Sequence, residues 1–313
     1  MTDPALDSAS AQALGGFAFQ DTGLDRADTL RDDPDALRRH WPQARLLLLD
    51  GQGRAAADAH GACLPLRGDR FGGGPGAAVF LGLDAEGQAW FALEADTVPA
   101  VGAARWIDLR EAAVHWPASE AGAFAYARGM LYWHARTRYC GVCGGAVAFR
   151  RAGFVGHCAQ CGNDHYPRVD PAVIMAVDDG ERLLLGRQPG WAAQRWSVLA
   201  GFIEPGESPE QAVAREVYEE TAVRVQHCRY LGAQPWPFPG ALMLGYAARA
   251  QAAEPRVSAE LEAARWFSRE EIARALDGGG AQADGPRLAS PISIAHALIV
   301  RWHEGVHAGL TPQ

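Results

Sequence analysis

Residues 201–223 read GFIEPGESPEQAVAREVYEETAV, and the fold of the chain turns on this stretch. Ser208, Pro209 and Gln211 compose a helix start. The serine hydroxyl accepts a backbone N–H as N-cap, proline loses nothing at the first helical position, and glutamine three residues on completes a capping box. The expectation is a helix over 209–221. On it Glu216, Glu219 and Glu220 fall at i, i+3 and i+4, so three carboxylates share one face within one turn. Like charges at this spacing cost about 0.2–0.5 kcal/mol per pair on an exposed helix, and a divalent cation would reverse the sign. A merely solvated acidic stripe is the bland alternative, and the surrounding residues argue against it.

Upstream, AVIMAV (172–177) and RLLLGR (182–187) flank DDGE (178–181) as a β-hairpin. After a loop over 188–194, WSVLAGF (196–202) reads as a further strand running into the acidic stretch. Downstream, QPWPFPGA (234–241) has proline at every second position, with Trp236 and Phe238 between them. Fixed φ and missing donors keep such a segment out of the middle of a sheet and the interior of a helix. It reads as a rigid shelf holding out two rings. DGGGAQADGP (277–286) is a loop before a C-terminal helix over about 291–304, and no internal repeat is evident.

The first 130 or so residues carry strand-like runs, RLLLL (45–49), AAVFLGL (77–83) and AWFAL (89–93), with DAEG (84–87) as a hairpin turn and GGGPG from Gly72 as a loop. AGAFAYARGMLYWHART (121–137) has apolar positions at helical spacing, with Trp133 and His134 as packing residues. Cys140, Cys143, Cys158 and Cys161 then form C-x2-C-x14-C-x2-C. Paired knuckles suit tetrahedral thiolate coordination of Zn²⁺, and four thiolates fill the coordination sphere, so this zinc is structural. Net charge is −8, and all 29 basic residues are arginine. No window approaches the roughly 18–20 apolar residues of a membrane span, and MTDPALDSAS at the N-terminus has no apolar signal core, so a cytoplasmic protein is expected.

The opening stretch resembles the Nudix box, G-x5-E-x7-R-E-U-x-E-E-x-G-U. Gly201, Glu207, Arg215, Glu216, Val217, Glu219, Glu220 and Val223 match, and Ala222 stands where the pattern has its last glycine. If the backbone there needs φ above zero, alanine costs about 1 kcal/mol. Ala233–Ala241, AQPWPFPGA, is similar to the SQPWPFPxS signature of the NADH diphosphatase branch of the Nudix hydrolases, with both terminal serines replaced by alanine. The branch also carries a four-cysteine ribbon just before the Nudix domain, followed by tyrosine-proline-arginine, here Tyr166, Pro167 and Arg168.

The resemblance implies an α+β protein: a Nudix α/β/α sandwich with a mixed sheet over 168–313, a small zinc ribbon over 135–167 and an N-terminal α/β domain over 1–134. It implies metal-dependent hydrolysis of NADH or NAD⁺ to nicotinamide mononucleotide and AMP, extending to NAD caps on RNA, by a homodimer. Glu216 and Glu220 are then ligands of Mg²⁺ or Mn²⁺ and Glu219 a further ligand or water-positioning group. The Ala200 carbonyl and Glu260 complete the metal set, with Glu262 as the competitor of Glu260. Arg215 braces the loop by pairing with Glu207. Substrate contacts fall on Tyr166, Phe202, Gln234, Pro235, Trp236, Pro237, Phe238, Pro239, Gly240, Ala241 and Ala295, with Trp236, Phe238 and Phe202 supplying flat faces for a base.

Other readings stay open at this point. From His134 to Arg168 five arginines stand against one acid, the footprint of a phosphate-backbone contact or of an ordinary arginine-rich surface. The alternatives are a Nudix hydrolase of broader nucleoside-diphosphate specificity and a nucleotide sensor without catalysis, the intact glutamates arguing against the sensor. QPWPFP could serve as a polyproline ligand for a partner.

Overall fold

The computed structural model describes residues 14–72, 74–98, 102–277 and 285–305. The MTDPALDSAS stretch and most of the loop read over 277–286 lie outside them. The chain divides into two compact units, one of residues 18–169 with 235–240, the other of the segment through Phe17 with 170–234 and 241 onward.

In the unit containing residues 18–169, six strands make one mixed sheet: β1 (Arg45–Leu49), β2 (Ala55–Ala57), β3 (Leu66–Arg67), β4 (Val79–Leu83), β5 (Ala89–Glu94) and β6 (Arg105–Ile107). The order is β4-β5-β1-β2-β6, with β3 against β1. RLLLL becomes a strand buried on both sides, as a continuous apolar run demands. Leu46 and Leu48 face a layer closed by Leu37 of α1 (Pro34–His40) and by Trp41. Leu47 and Leu49 face α2 (Leu109–His115) and α3 (Ala118–Arg136), which contribute Leu109, Phe124 and Met130. The ribbon that follows is a three-stranded antiparallel sheet of β7 (Val147–Arg150), β8 (Val155–Cys158) and β9 (Asp164–His165).

The other unit holds β10 (Asp170–Asp178), β11 (Leu183–Arg187), β12 (Leu199–Phe202), α4 (Pro209–Thr221), β13 (Val225–Trp236), β14 (Ala241–Ala250), β15 (Ala263–Phe267), α5 (Arg269–Asp277) and α6 (Ile294–His303). Its sheet order is β13-β14-β10-β11-β15, with β12 against β10. Val173, Met175 and Val177 of β10 face Ala212, Val213 and Val217 of α4. Ile174 and Ala176 face Ile294, Leu298, Ile299 and Trp302 of α6. At about 1.5–3 kcal/mol for each fully buried Val, Ile or Leu, this two-sided burial is what fixes the sheet between its helices. The expected α/β/α sandwich with a mixed sheet is thereby found. Among the described residues no helix is long and apolar enough to cross a membrane.

The two six-stranded sheets have one topology. β1 is parallel to β5 and antiparallel to β2 and β3, and β2 is antiparallel to β6. In the same way β10 is parallel to β14 and antiparallel to β11 and β12, and β11 is antiparallel to β15. Two helices follow the last strand in each. The sequence shows no internal repeat, and the likeness lies in connectivity, which leaves no residue pattern behind. One element differs. Where the second sheet has α4 between β12 and β13, the first has only a short 3-10 turn, Gly68–Phe71, between β3 and β4. The layer that α4 covers is covered in the first sheet by α1 and Trp41, which precede β1.

Helix α4 starts and stops as its residues dictate. Ser208 Oγ accepts from Gln211 N at 3.2 Å, and Gln211 Oε1 accepts from Ser208 N at 2.8 Å, so both halves of the capping box form. Ala222 ends the helix at φ 57°, ψ 12°, in the left-handed region, with its N–H on the Tyr218 carbonyl. Glycine adopts this conformation freely and alanine does not. Ala222→Gly is expected to stabilise the protein by about 1 kcal/mol, read as a higher denaturant midpoint at unchanged slope. The same midpoint in both proteins would mean that the left-handed alanine is not strained.

QPWPFPGA stays out of the middle of the sheet, as its prolines require. The edge strand β13 continues through Trp236, residues 237–240 turn, and β14 begins at Ala241. Proline is tolerated here because the strand is outermost and ends. WSVLAGF forms a shorter strand than expected, β12 starting at Leu199, with Ser197 bridging to Gly186.

Candidate active site and metal centres

The four cysteines converge. Their sulfurs lie within 4.8 Å of one another, Cys140 to Cys161 at 3.6 Å and Cys143 to Cys158 at 3.5 Å. A tetrahedron with Zn–S bonds of about 2.3 Å has edges of about 3.8 Å, so the donor set fits Zn²⁺ in both chemistry and size. Gly144 and Gly162, each at φ 75°, make the knuckle turns. Cys143→Ser is expected to lose the metal and fold poorly, with zinc content of freshly purified, reduced protein as the readout. Wild-type protein free of zinc would refute the assignment.

The carboxylates lie at the junction of β12 and α4. Gly201 is packed so closely that a methyl group on it would fall on the Glu216 carboxyl group. Its φ is not positive, so space rather than conformation requires glycine. Arg215 organises the rest. Its Nε and Nη2 donate to Glu207 at 2.8 and 2.9 Å, and Nη2 also donates to the Phe202 carbonyl at 2.9 Å. Its Nη1 donates to Glu216 at 2.9 Å and to Glu219 at 3.0 Å. The brace expected from the Glu207–Arg215 pair is present.

Glu220 has a different environment. It is 5% exposed, and its Oε2 is buried without a hydrogen-bond partner. Burial, then the charges of Glu216 and Glu260, push its carboxyl up to about 8. Burial also raises Glu216, against the pull of Arg215. A buried carboxylate without a donor or a cation is costly. Hard oxygens from Glu216, Glu220 and Glu260 fit Mg²⁺ or Mn²⁺, which would supply the missing charge. Among the described residues no three carboxylates come within the spacing that the thiolates reach, and two of the acids, Glu216 and Glu219, are bound by Arg215. Glu262 is held by Arg187 at 3.0 Å, whereas Glu260 acts on Glu216 and Glu220 through its charge. Ala200 lies on β12, paired with Ile174.

The residues expected to touch substrate divide between the units: Phe202, Gln234, Ala241 and Ala295 belong to one, Tyr166 and 235–240 to the other. Phe202 and Tyr166 are exposed. Gln234 is fully buried, its amide donating to the Ile292 carbonyl at 2.8 Å and accepting from Ile294 N at 2.7 Å, beside the buried Ala295. Trp236 and Phe238 are half-buried, 4.9 Å apart, each 6.3 Å from the Phe19 ring. Pro237 is buried, Pro235 and Pro239 are exposed, and Gly240 and Ala241 are half-buried. Arg110 and Arg128 approach the same rings, at 3.9 and 4.9 Å from the Phe238 centroid. Nothing in the sequence singles them out, since both sit in ordinary helical stretches.

Three family models match in succession: an NADH pyrophosphatase-like rudimentary NUDIX domain over 42–133, an NADH pyrophosphatase zinc ribbon domain over 135–166 and a NUDIX domain over 167–287. The first fits the sheet that shares the Nudix topology but lacks the box helix. The chain is 37% identical over 289 residues to the NAD-capped RNA hydrolase NudC of Mycobacterium bovis, covering 90% of this chain and 92% of that protein. The protein of the same name from Mycobacterium tuberculosis is 36% identical over the same shares. Human NAD-capped RNA hydrolase NUDT12 is 44% identical over 194 residues, 58% of this chain and 42% of that one. With Arg215, Glu216, Glu219 and Glu220 of the box on α4, the ribbon cysteines converged and similarity running nearly end to end, the chain belongs to the NudC family of Nudix hydrolases.

Proposed function

We propose that this protein hydrolyses the diphosphate bond of NADH and NAD⁺, giving reduced or oxidised nicotinamide mononucleotide and AMP, and removes NAD caps from RNA. The observation that carries the reading is Glu220, a buried carboxylate without a partner beside Glu216 and within reach of the Glu260 charge. The names of relatives that match over nine-tenths of the chain support the substrate.

Each residue then has a task. Glu216, Glu220, Glu260 and the Ala200 carbonyl hold Mg²⁺ or Mn²⁺. When bound, the cation neutralises the diphosphate oxygens and lowers the pKa of a water. Glu219, mostly exposed and bound by Arg215, is a further ligand or positions water. Arg215 fixes the loop and two of the acids. Trp236, Phe238 and Tyr166 in one unit and Phe202 in the other offer ring faces to the bases, and Gln234, Ala241 and Ala295 are further substrate-contact positions of the unit that holds Phe202. Arg151, one of the five ribbon arginines, is already paired with Asp28 and Asp32, which leaves fewer for an RNA backbone. We further propose three domains over 1–134, 135–167 and 168–313, a homodimer and a cytoplasmic location.

The test is product analysis after incubating the protein with NADH and either Mg²⁺ or Mn²⁺. Reduced nicotinamide mononucleotide and AMP in equal amounts are expected. Cleavage of other nucleoside diphosphates but not NADH would favour a broader hydrolase, and binding without cleavage a sensor.

A further inference from the structure

Two guanidinium groups in the unit of residues 18–169 stand together with no carboxylate in ion-pair contact among the described residues, Asp108 reaching Arg128 through its charge alone. Arg110 lies 3.9 Å from the centroid of Phe238 and 5.9 Å from that of Trp236, and Arg128 lies 4.9 Å from that of Phe238. Neither forms an ion pair among the described residues. The neighbouring acids are engaged: Asp108 accepts from the backbone N–H groups of Arg110 and Glu111, and Glu111 binds Arg105 at 2.8 Å. Arg128 Nη1 is buried with no hydrogen-bond partner. Burial, then the charge of Arg110, weakens the hold of Arg128 on its proton.

Guanidinium groups stay charged in proteins, so this cluster concentrates two positive charges on a partly apolar bed. Ring faces attract the cations but accept no strong hydrogen bonds and cancel no charge. The missing partner is an oxyanion, and the planar guanidinium fork matches phosphate oxygens two at a time. The adjoining Trp236 and Phe238 rings, half-exposed, add flat surfaces of the kind on which bases stack. We propose that Arg110 and Arg128, on the bed of Trp236 and Phe238, form a binding site for a nucleotide phosphate. Arg110 is exposed and opens the site to solvent. The phosphate belongs either to the dinucleotide or to the RNA chain behind a cap; both present the same oxygens.

The first test needs no turnover. Full-length, zinc-loaded protein is melted in chloride and in about 10 mM inorganic phosphate at matched ionic strength, and phosphate should raise the midpoint by about 2–4 °C. Arg110→Gln, at an exposed position that folding tolerates, should lose that rise, as should Arg128→Gln. Equal rises in wild type and Arg110→Gln would overturn the site. KM then separates the sources. If the site takes the dinucleotide, Arg110→Gln raises KM about 10-fold for both NADH and NAD-capped RNA. If it takes the RNA chain, only the capped RNA is affected, with the salt dependence of its binding reduced by about one counterion. Loss of the phosphate rise with both KM values unchanged would overturn the nucleotide assignment. A wild type that turns over neither substrate but keeps the arginine-dependent rise would sink the hydrolytic reading and leave this one standing.

Discussion

Glu220→Gln should lower kcat for NADH by about 10³-fold or more while nucleotide binding survives. The amide keeps the shape of the side chain and removes a charge from a position that is 5% exposed and has no hydrogen-bond donor on Oε2. Because the wild-type carboxyl group, pushed up to about 8, is mostly neutral at neutral pH without metal and the amide is neutral too, the metal-free variant should melt close to wild type there, so lost turnover cannot be ascribed to unfolding. Mn²⁺ titration followed by electron paramagnetic resonance should show weakened binding. Glu260→Gln should be severe and Glu262→Gln mild, since Glu262 is committed to Arg187. A Glu220→Gln enzyme with a tenth or more of wild-type turnover, or equal small effects at all three positions, would show the metal to be held elsewhere.

How much of this was legible in the sequence depended on whether the deciding interactions were local. Helix α4 runs from Pro209 to Thr221 as expected, because Ser208, Pro209 and Gln211 fix its start within four residues. The zinc centre was legible for the same reason, knuckle spacing being a local constraint. The three glutamates are equivalent in the sequence and unequal in the structure. Tertiary packing buries Glu220, while Arg215 holds Glu219 near the surface. In QPWPFPGA the stiffness was readable but the direction of the rings was not, since their neighbour Phe19 comes from the start of the chain. The duplicated sheet was invisible because an apolar strand can be filled by RLLLL or by PAVIMAV equally well, and topology is not written in residue identity. The first copy also lacks the helix that carries the recognisable motif.

Gly201→Ala should fold, yet lose about 10²-fold in kcat with little change in KM for NADH. Its backbone conformation suits alanine, since φ at 201 is not positive. The obstacle is the added methyl group, which would fall on the Glu216 carboxyl group. The carboxylate must then give way, and Arg215 Nη1, which also binds Glu219, transmits the shift to the second acid. Misplacing a reacting or ligating group by about 1 Å can cost about 10²-fold in rate, and overpacking of this kind destabilises by about 1–3 kcal/mol. Phe202 and the other rings are untouched, which is why binding should hold. A double-mutant cycle isolates the cause. In a Glu216→Ala background the methyl group has no carboxylate to displace, so adding Gly201→Ala should cost almost nothing further. If Gly201→Ala lowers kcat by the same factor with and without Glu216, the close approach of strand and helix is not what the box glycine protects.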